Sequence, residues 1–141
     1  MLFSLMESFL FFYHPLCMNK QEATKLLQIY GKAWETQDPE LIITIFSRDA
    51  TYHDPKEPKN IGRNAIKQYW QTKVVGEQAD IKFDLLHVWA LSGTVIAEWH
   101  ATLKDTKRNL RIDMTEVAIF TVKGKKFSSL REYYTSNKTP L

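Results

Sequence analysis

Apolar residues recur at three- and four-residue steps through Ala23, Leu26, Leu27, Tyr30 and Trp34, the spacing of one face of a helix. This predicts an α-helix opened by Asn19-Lys20-Gln21-Glu22, with Tyr30 turned inward. Asp38-Pro39 supplies an N-cap and a proline for the first helical position, predicting a second, short helix through Leu41, Ile42, Ile45 and Phe46. Ala50-Thr51-Tyr52-His53-Asp54 then reads as extended. β-Branched and aromatic residues dominate it, and Pro55 disfavours a helical conformation in the residue before it. In a strand, Tyr52 and Asp54 share one face and His53 takes the other. A polar loop, Lys56 to Asn60, and Gly62-Arg63-Asn64 lead into a third helix carrying Ile66, Tyr69, Trp70, Lys73 and Val74.

From Ile81 onward the period changes to two. Ile81, Phe83, Leu85, His87 and Trp89 are expected on one face of a strand, and Ser92-Gly93 marks a tight turn. Val95, Ala97, Trp99, Ala101 and Leu103 line one side of the next strand. Two further strands, Leu110 to Val122 and Phe127 to Thr135, are separated by Lys123-Gly124-Lys125. Three helices with a short strand among them, followed by a four-stranded antiparallel meander, make an α+β arrangement, in which a twisted sheet can curl around the helices and enclose an apolar cavity. Leu86, Val88, Ala90, Val117 and Ile119 make the opposite sheet face apolar as well. An antiparallel sheet facing water alternates more cleanly, so this face is expected to be buried in a homodimer.

Composition narrows the picture. The chain has 141 residues, of which 44% are hydrophobic and 13% aromatic, enough for one domain with a substantial core. Net charge is +3, with the lysines and arginines scattered over turns, which argues against nucleic-acid binding. A single cysteine, Cys17, excludes an intrachain disulfide and a cysteine-rich zinc site, and the four histidines show no metal-ligand spacing, so no metal or other cofactor is expected. Residues 1–17 are rich in Phe and Leu but lack the basic start of a signal peptide, carry Glu7, and are too short to span a bilayer. They read as an extraneous extension ahead of a domain over residues 18–141, with Met18 the expected start of translation. A cytoplasmic location and no membrane association follow as expectations.

The inward face of the strand after Arg108 reads Leu110, Ile112, Met114, Glu116, Ala118, Phe120, so a carboxylic acid interrupts an apolar set. Unpaired and buried, Glu116 would stay protonated and could donate a hydrogen bond; a bulge could instead turn it outward to a lysine. Asp54 is either a base or an acceptor of backbone hydrogen bonds in an Asp-Pro turn. Tyr30 is either a core tyrosine or a proton donor. Trp70, Trp99, Met114 and Tyr134 are candidate walls of the pocket. Arg111 and Asp113, on the opposite face from Glu116, are expected to form a surface or dimer-interface ion pair.

Asp49-Ala50-Thr51-Tyr52-His53-Asp54-Pro55 followed by Gly62-Arg63-Asn64-Ala65-Ile66 resembles the NTF2-like superfamily, in its SnoaL-like and ketosteroid-isomerase-like branch. The resemblance runs from about Gln21 to Ser136. It implies a cone-shaped fold, three N-terminal helices packed in a curved antiparallel sheet around an apolar pocket, and a dimer. Tyr30 falls where ketosteroid isomerases place the tyrosine that donates to the substrate oxygen. Asp54 falls at their general base, and Glu116 where they keep a protonated aspartic acid. Glu116 is longer by one methylene, Trp70 replaces a supporting tyrosine, and Trp99 is bulkier than the expected Phe. An epoxide-hydrolase-like pattern fits less well, because Glu98-Trp99-His100 and Tyr133-Tyr134-Thr135 stand where its Arg and Asp residues would be.

The resemblance thus implies a small-molecule pocket, with proton transfer next to a carbonyl of a steroid- or polyketide-like ketone as the enzymatic reading. Two alternatives stand beside it: a non-catalytic ligand-binding protein, and a dimeric protein-interaction module.

Overall fold

The computed structural model describes residues 17–141; the expected extension, apart from Cys17, lies outside the described residues. Helix α1, Lys20–Thr36, begins in a capping box. The Asn19 side chain accepts from the Glu22 backbone N–H, and the Glu22 carboxylate accepts from the Asn19 N–H. Its stripe buries Ala23, Leu27, Tyr30, Gly31, Ala33 and Trp34. Gly31 is required by packing rather than by conformation. A Cβ built there would lie 2.3 Å from the Phe83 ring, so the missing side chain lets α1 settle on the sheet. Asp38 caps the one-turn helix α2, Pro39–Ile42, by accepting from the Glu40 and Leu41 N–H groups.

Strand β1 spans Phe46–His53, and β2, Asn60–Ile61, pairs back onto it. Helix α3, Arg63–Trp70, follows and continues directly into a π-helical turn, Gln71–Val75. Four long strands complete the chain: β3 Gln78–Leu91, β4 Thr94–Asp105, β5 Leu110–Lys123 and β6 Lys126–Pro140. They form one six-stranded sheet in the order β2-β1-β6-β5-β4-β3.

Two expectations about this architecture are corrected. The resemblance implies three helices N-terminal to the sheet, whereas α3 enters after β1 and β2, where the order of the sequence signals places it. The sheet is mixed rather than purely antiparallel, since β1 lies parallel to β6. That pairing joins the two ends of the fold and places Tyr52 opposite Leu130.

Irregularities in the long strands decide which side chains face inward. A register shift between Leu85 and His87 inverts the alternation of β3. Val88 and Ala90 thereby oppose the inward residues Ala97 and Val95, whereas Trp89 turns to the outer face and is 47% exposed. The expected single face through His87 and Trp89 therefore breaks after Leu85, and Val88 and Ala90 leave the outer set. A second shift, where Thr121 pairs with Ser129 but Val122 with Phe127, puts an extra residue into β6. From there Leu130 and Glu132 are buried and Arg131 and Tyr133 are exposed. The outer face also rearranges the expected ion pair. Asp113 accepts from or shares a proton with His100, with Nε2 and Oδ1 2.9 Å apart, rather than pairing with Arg111.

Candidate active site

A cavity of about 160 Å³ opens between the helices and the concave face of the sheet. Tyr30, Asp54, Trp70, Met114, Glu116 and Tyr134 all line it, so most of the expected site residues meet at one place. Trp99 does not line it. Its indole is fully buried behind Tyr30, with ring centroids 5.0 Å apart.

The inner end of the cavity contains two carboxyl groups. Glu116 projects from the middle of β5 and Glu132 from β6, and they are 2% and 5% exposed. The hydroxyl of Tyr30 donates to Glu132 Oε1 at 2.8 Å, and the Tyr52 hydroxyl donates a short hydrogen bond to the same oxygen. The two hydroxyls themselves lie 3.2 Å apart. Desolvation by burial raises the pKa of both acids above the ordinary carboxylate range. Glu132 is pushed up only to about 7, because the hydrogen bonds from Tyr52, Tyr30 and Glu116 offset part of that cost. Glu116 rises well above its usual value through burial first, then the charges of Glu132 and Asp54 and a hydrogen bond to Glu132. At neutral pH the pair therefore holds at least one proton, which sits on Glu116.

Asp54 occupies the mouth. The Asp-Pro turn directs its Oδ1 to the Lys56 backbone N–H at 2.9 Å, while the Tyr69 hydroxyl donates to Oδ2 at 3.1 Å and that of Tyr134 to Oδ1 at 3.3 Å. Asp54 thus accepts a backbone hydrogen bond, as in an Asp-Pro turn, and also lines the cavity. Burial raises the pKa of both tyrosines, and Asp54 adds to the effect, so they remain neutral donors. At the rim, Lys73 pairs with Glu57 at 2.7 Å and Arg108 with Asp105 at 3.6 Å. Among the described residues, no three His, Cys, Asp or Glu side chains are grouped to hold a metal ion.

Glu132 and the paired tyrosines Tyr52 and Tyr69 are site residues absent from the expected set. Counted by twos from Phe127, Glu132 falls on the outer face, and only the extra residue in β6 brings it inside. Tyr52 could have been found, since it shares a strand face with Asp54. Tyr69 could have been found too, one position before the cavity-lining Trp70.

The arrangement combines an exposed-end carboxylate, a buried neutral acid and a second buried carboxyl held by two hydroxyls. Such a set can accept a proton at one end of a small molecule and stabilise developing charge at the other.

Comparison with solved structures identifies close matches in fold. An epoxide hydrolase from M. tuberculosis, described as LEH-like, shares 15% identity at a TM-score of 0.68, covering 82% of this chain and 84% of that one. SalBIII, described as an epoxide hydrolase/cyclase-like enzyme in pyran ring formation of the polyether salinomycin, shares 22% at 0.69, over 84% and 94%. A hypothetical protein from Catenulispora acidiphila with a ketosteroid-isomerase-like fold, solved with trimethylamine, shares 16% at 0.72, over 79% and 85%. No curated protein matches the chain. The sequence pattern of the SnoaL-like domain matches residues 27–130, and the protein belongs to the SnoaL-like family, with the NTF2-like, ketosteroid-isomerase-like fold.

Proposed function

We propose that this protein is an isomerase or cyclase that moves a proton next to the carbonyl of a small ring compound. The observation that carries the reading is the pairing of a carboxylate at the cavity mouth with a buried acid that keeps its proton. Asp54 removes the α-proton, the released electron pair moves onto the carbonyl oxygen, and Glu116, turning its O–H from Glu132 to that oxygen, stabilises the resulting enolate. Asp54 then returns the proton to the γ-carbon, completing the isomerisation without any other reactant. Tyr30 keeps the inner end polar by holding Glu132, its hydroxyl being already donated there. Trp70, Met114 and Tyr134 form the walls, and Trp99 supports Tyr30 from behind.

Cavity size sets the substrate class. An apolar cavity of roughly 150 Å³ takes benzene, so about 160 Å³ suits a single ring and leaves most of a steroid outside. No cofactor enters this reaction. We assign the protein to the cytoplasm, as a homodimer joined through the outer sheet face, with neither nucleic acid nor membrane as partner. Among the described residues no helix is long and apolar enough to cross a membrane.

The direct test is incubation with cyclohex-3-enone, following the absorbance of the conjugated enone, with Asp54→Asn alongside. The wild type is expected to turn over and the variant to lose at least about 10²-fold in rate, the usual scale of general-base catalysis. Equal rates in the two proteins contradict the role of Asp54. Binding of the ketone with no turnover in either favours the ligand-binding alternative.

A further inference from the structure

We propose that Oδ2 of Asp54 is the atom that carries the migrating proton and that the Tyr69 hydroxyl is the positioning group that aims it. This deepens the proposed function and rests on Asp54 being its base. An ionised carboxylate offers about four lone-pair sites, two on each oxygen. On Asp54 the described residues take three of them. Oδ1 accepts from the Lys56 backbone N–H at 2.9 Å and from the Tyr134 hydroxyl at 3.3 Å, whereas Oδ2 accepts from the Tyr69 hydroxyl alone, at 3.1 Å. The site left for a substrate proton is therefore on Oδ2. The substrate's C–H bond breaks as an O–H bond forms there, and the same proton then bonds to the γ-carbon.

The kind of partner matters as well as the number. Other carboxylates that line the mouth stand beside cations: Glu57 and Glu77 lie 2.7 and 3.7 Å from the Lys73 ammonium, and Asp105 lies 3.6 Å from Arg108. Asp54 forms no ion pair among the described residues and is held by neutral donors, which fix its direction and leave its charge in place. Asp54, Tyr69 and Tyr134 all line the cavity and are only partly buried, so a ligand can reach them.

The two tyrosines hold the carboxylate from different sides. Tyr134 comes from β6, with the Lys56 ammonium 4.7 Å from its ring centre, so Oδ1 is tied to the sheet and to its own turn. Tyr69 reaches in from the second turn of α3, its ring steadied against that of Tyr52 at 5.3 Å between centroids. Oδ2 thus depends on α3. Without the Tyr69 hydroxyl it has water as its partner, and a proton taken up there can exchange before it is returned.

The test follows cyclohex-3-enone carrying deuterium at C2, a label that Asp54 passes to C4 of the conjugated product, in the wild type, Tyr69→Phe and Tyr134→Phe. Tyr69→Phe is expected to lose about tenfold in kcat with KM little changed, and to carry over a smaller share of the label than the wild type. Tyr134→Phe should lose less in kcat and keep the wild-type share. That share is set within each turnover, so a smaller folded fraction does not alter it. A wild-type share in Tyr69→Phe, or an equal loss in both variants, overturns the inference and leaves the proton-transfer reading standing. Should Tyr69→Phe not fold, a crystal structure of the wild type with cyclohex-2-enone decides: C2 and C4 are expected nearer to Oδ2 than to Oδ1, and the reverse overturns the inference. No turnover of cyclohex-3-enone by the wild type overturns both.

Discussion

Two carboxyl groups buried side by side resist ionising together, and the Glu116–Glu132 pair resolves this by keeping a proton between them. Tyr30 and Tyr52 decide its location, because both donate to Glu132 and so make it the easier of the two to ionise. The pair also links stability to pH. Both folded-state pKa values lie above the unfolded value of 4.5, so between these limits the folded protein binds more protons. The stability that Glu132 contributes is fully present below about pH 4.5 and is lost as pH rises through about 7, and Glu116 acts in the same direction. Calorimetry from pH 5 to 8 should therefore show the melting temperature falling, with a shallower fall in Glu132→Gln. Identical slopes in the two proteins would show that the pair does not titrate as described. Glu116 could be recognised from its lone position in an apolar strand face, whereas Glu132 could not, because its direction depends on a bulge without a glycine to mark it.

At the scale of elements, the helices were legible because their signals are local. Asn19 with Glu22, Asp38 with Pro39, and the stripe from Ala23 to Trp34 each act within a few residues. The four long strands were legible from alternation for the same reason. Two features were not. The parallel pairing of β1 with β6 brings Tyr52 against Leu130, residues far apart in the chain, and neither strand encodes its neighbour. The bulge near Leu86 exchanges the faces of Val88 and Trp89, and a mixed run such as Leu86-His87-Val88-Trp89-Ala90 fits either phase. The cavity wall was therefore read correctly along β5 and only in part along β3 and β6. The side chains of the mouth, Asp54 and Tyr69, lie where a turn and a helix meet, and the common Asp-Pro turn signal located the first of them.

For the whole molecule, the outer sheet face carries several of the exposed large apolar side chains among the described residues. Leu86, Trp89, Val117 and Tyr133 are 47%, 47%, 37% and 50% exposed, and they surround the partly buried Ile96 and Ile119. Contiguous apolar surface of this kind on a sheet marks an interface more often than free surface. Its membership differs from the expected set, since Trp89 and Tyr133 replace the inward-facing Val88 and Ala90. Sedimentation at micromolar concentration should give a dimer for the wild type and a monomer for Trp89→Glu. A monomeric wild type would contradict the dimer. The concave face, by contrast, is occupied by α1 and α3, which confines any ligand to the small space between Trp70, Met114 and the carboxyl pair.

The central claim is that a buried acid remains protonated beside a cavity that also holds an available base. Titration of the ¹³C carboxyl resonances of glutamate-labelled protein, with Glu116→Gln and Glu132→Gln used for assignment, tests it most directly. The account predicts one glutamate ionising near pH 7 and the other also well above the ordinary glutamate range. Two carboxyls at these positions already ionised at pH 5 would contradict it, and would remove the proton donor on which the proposed reaction depends.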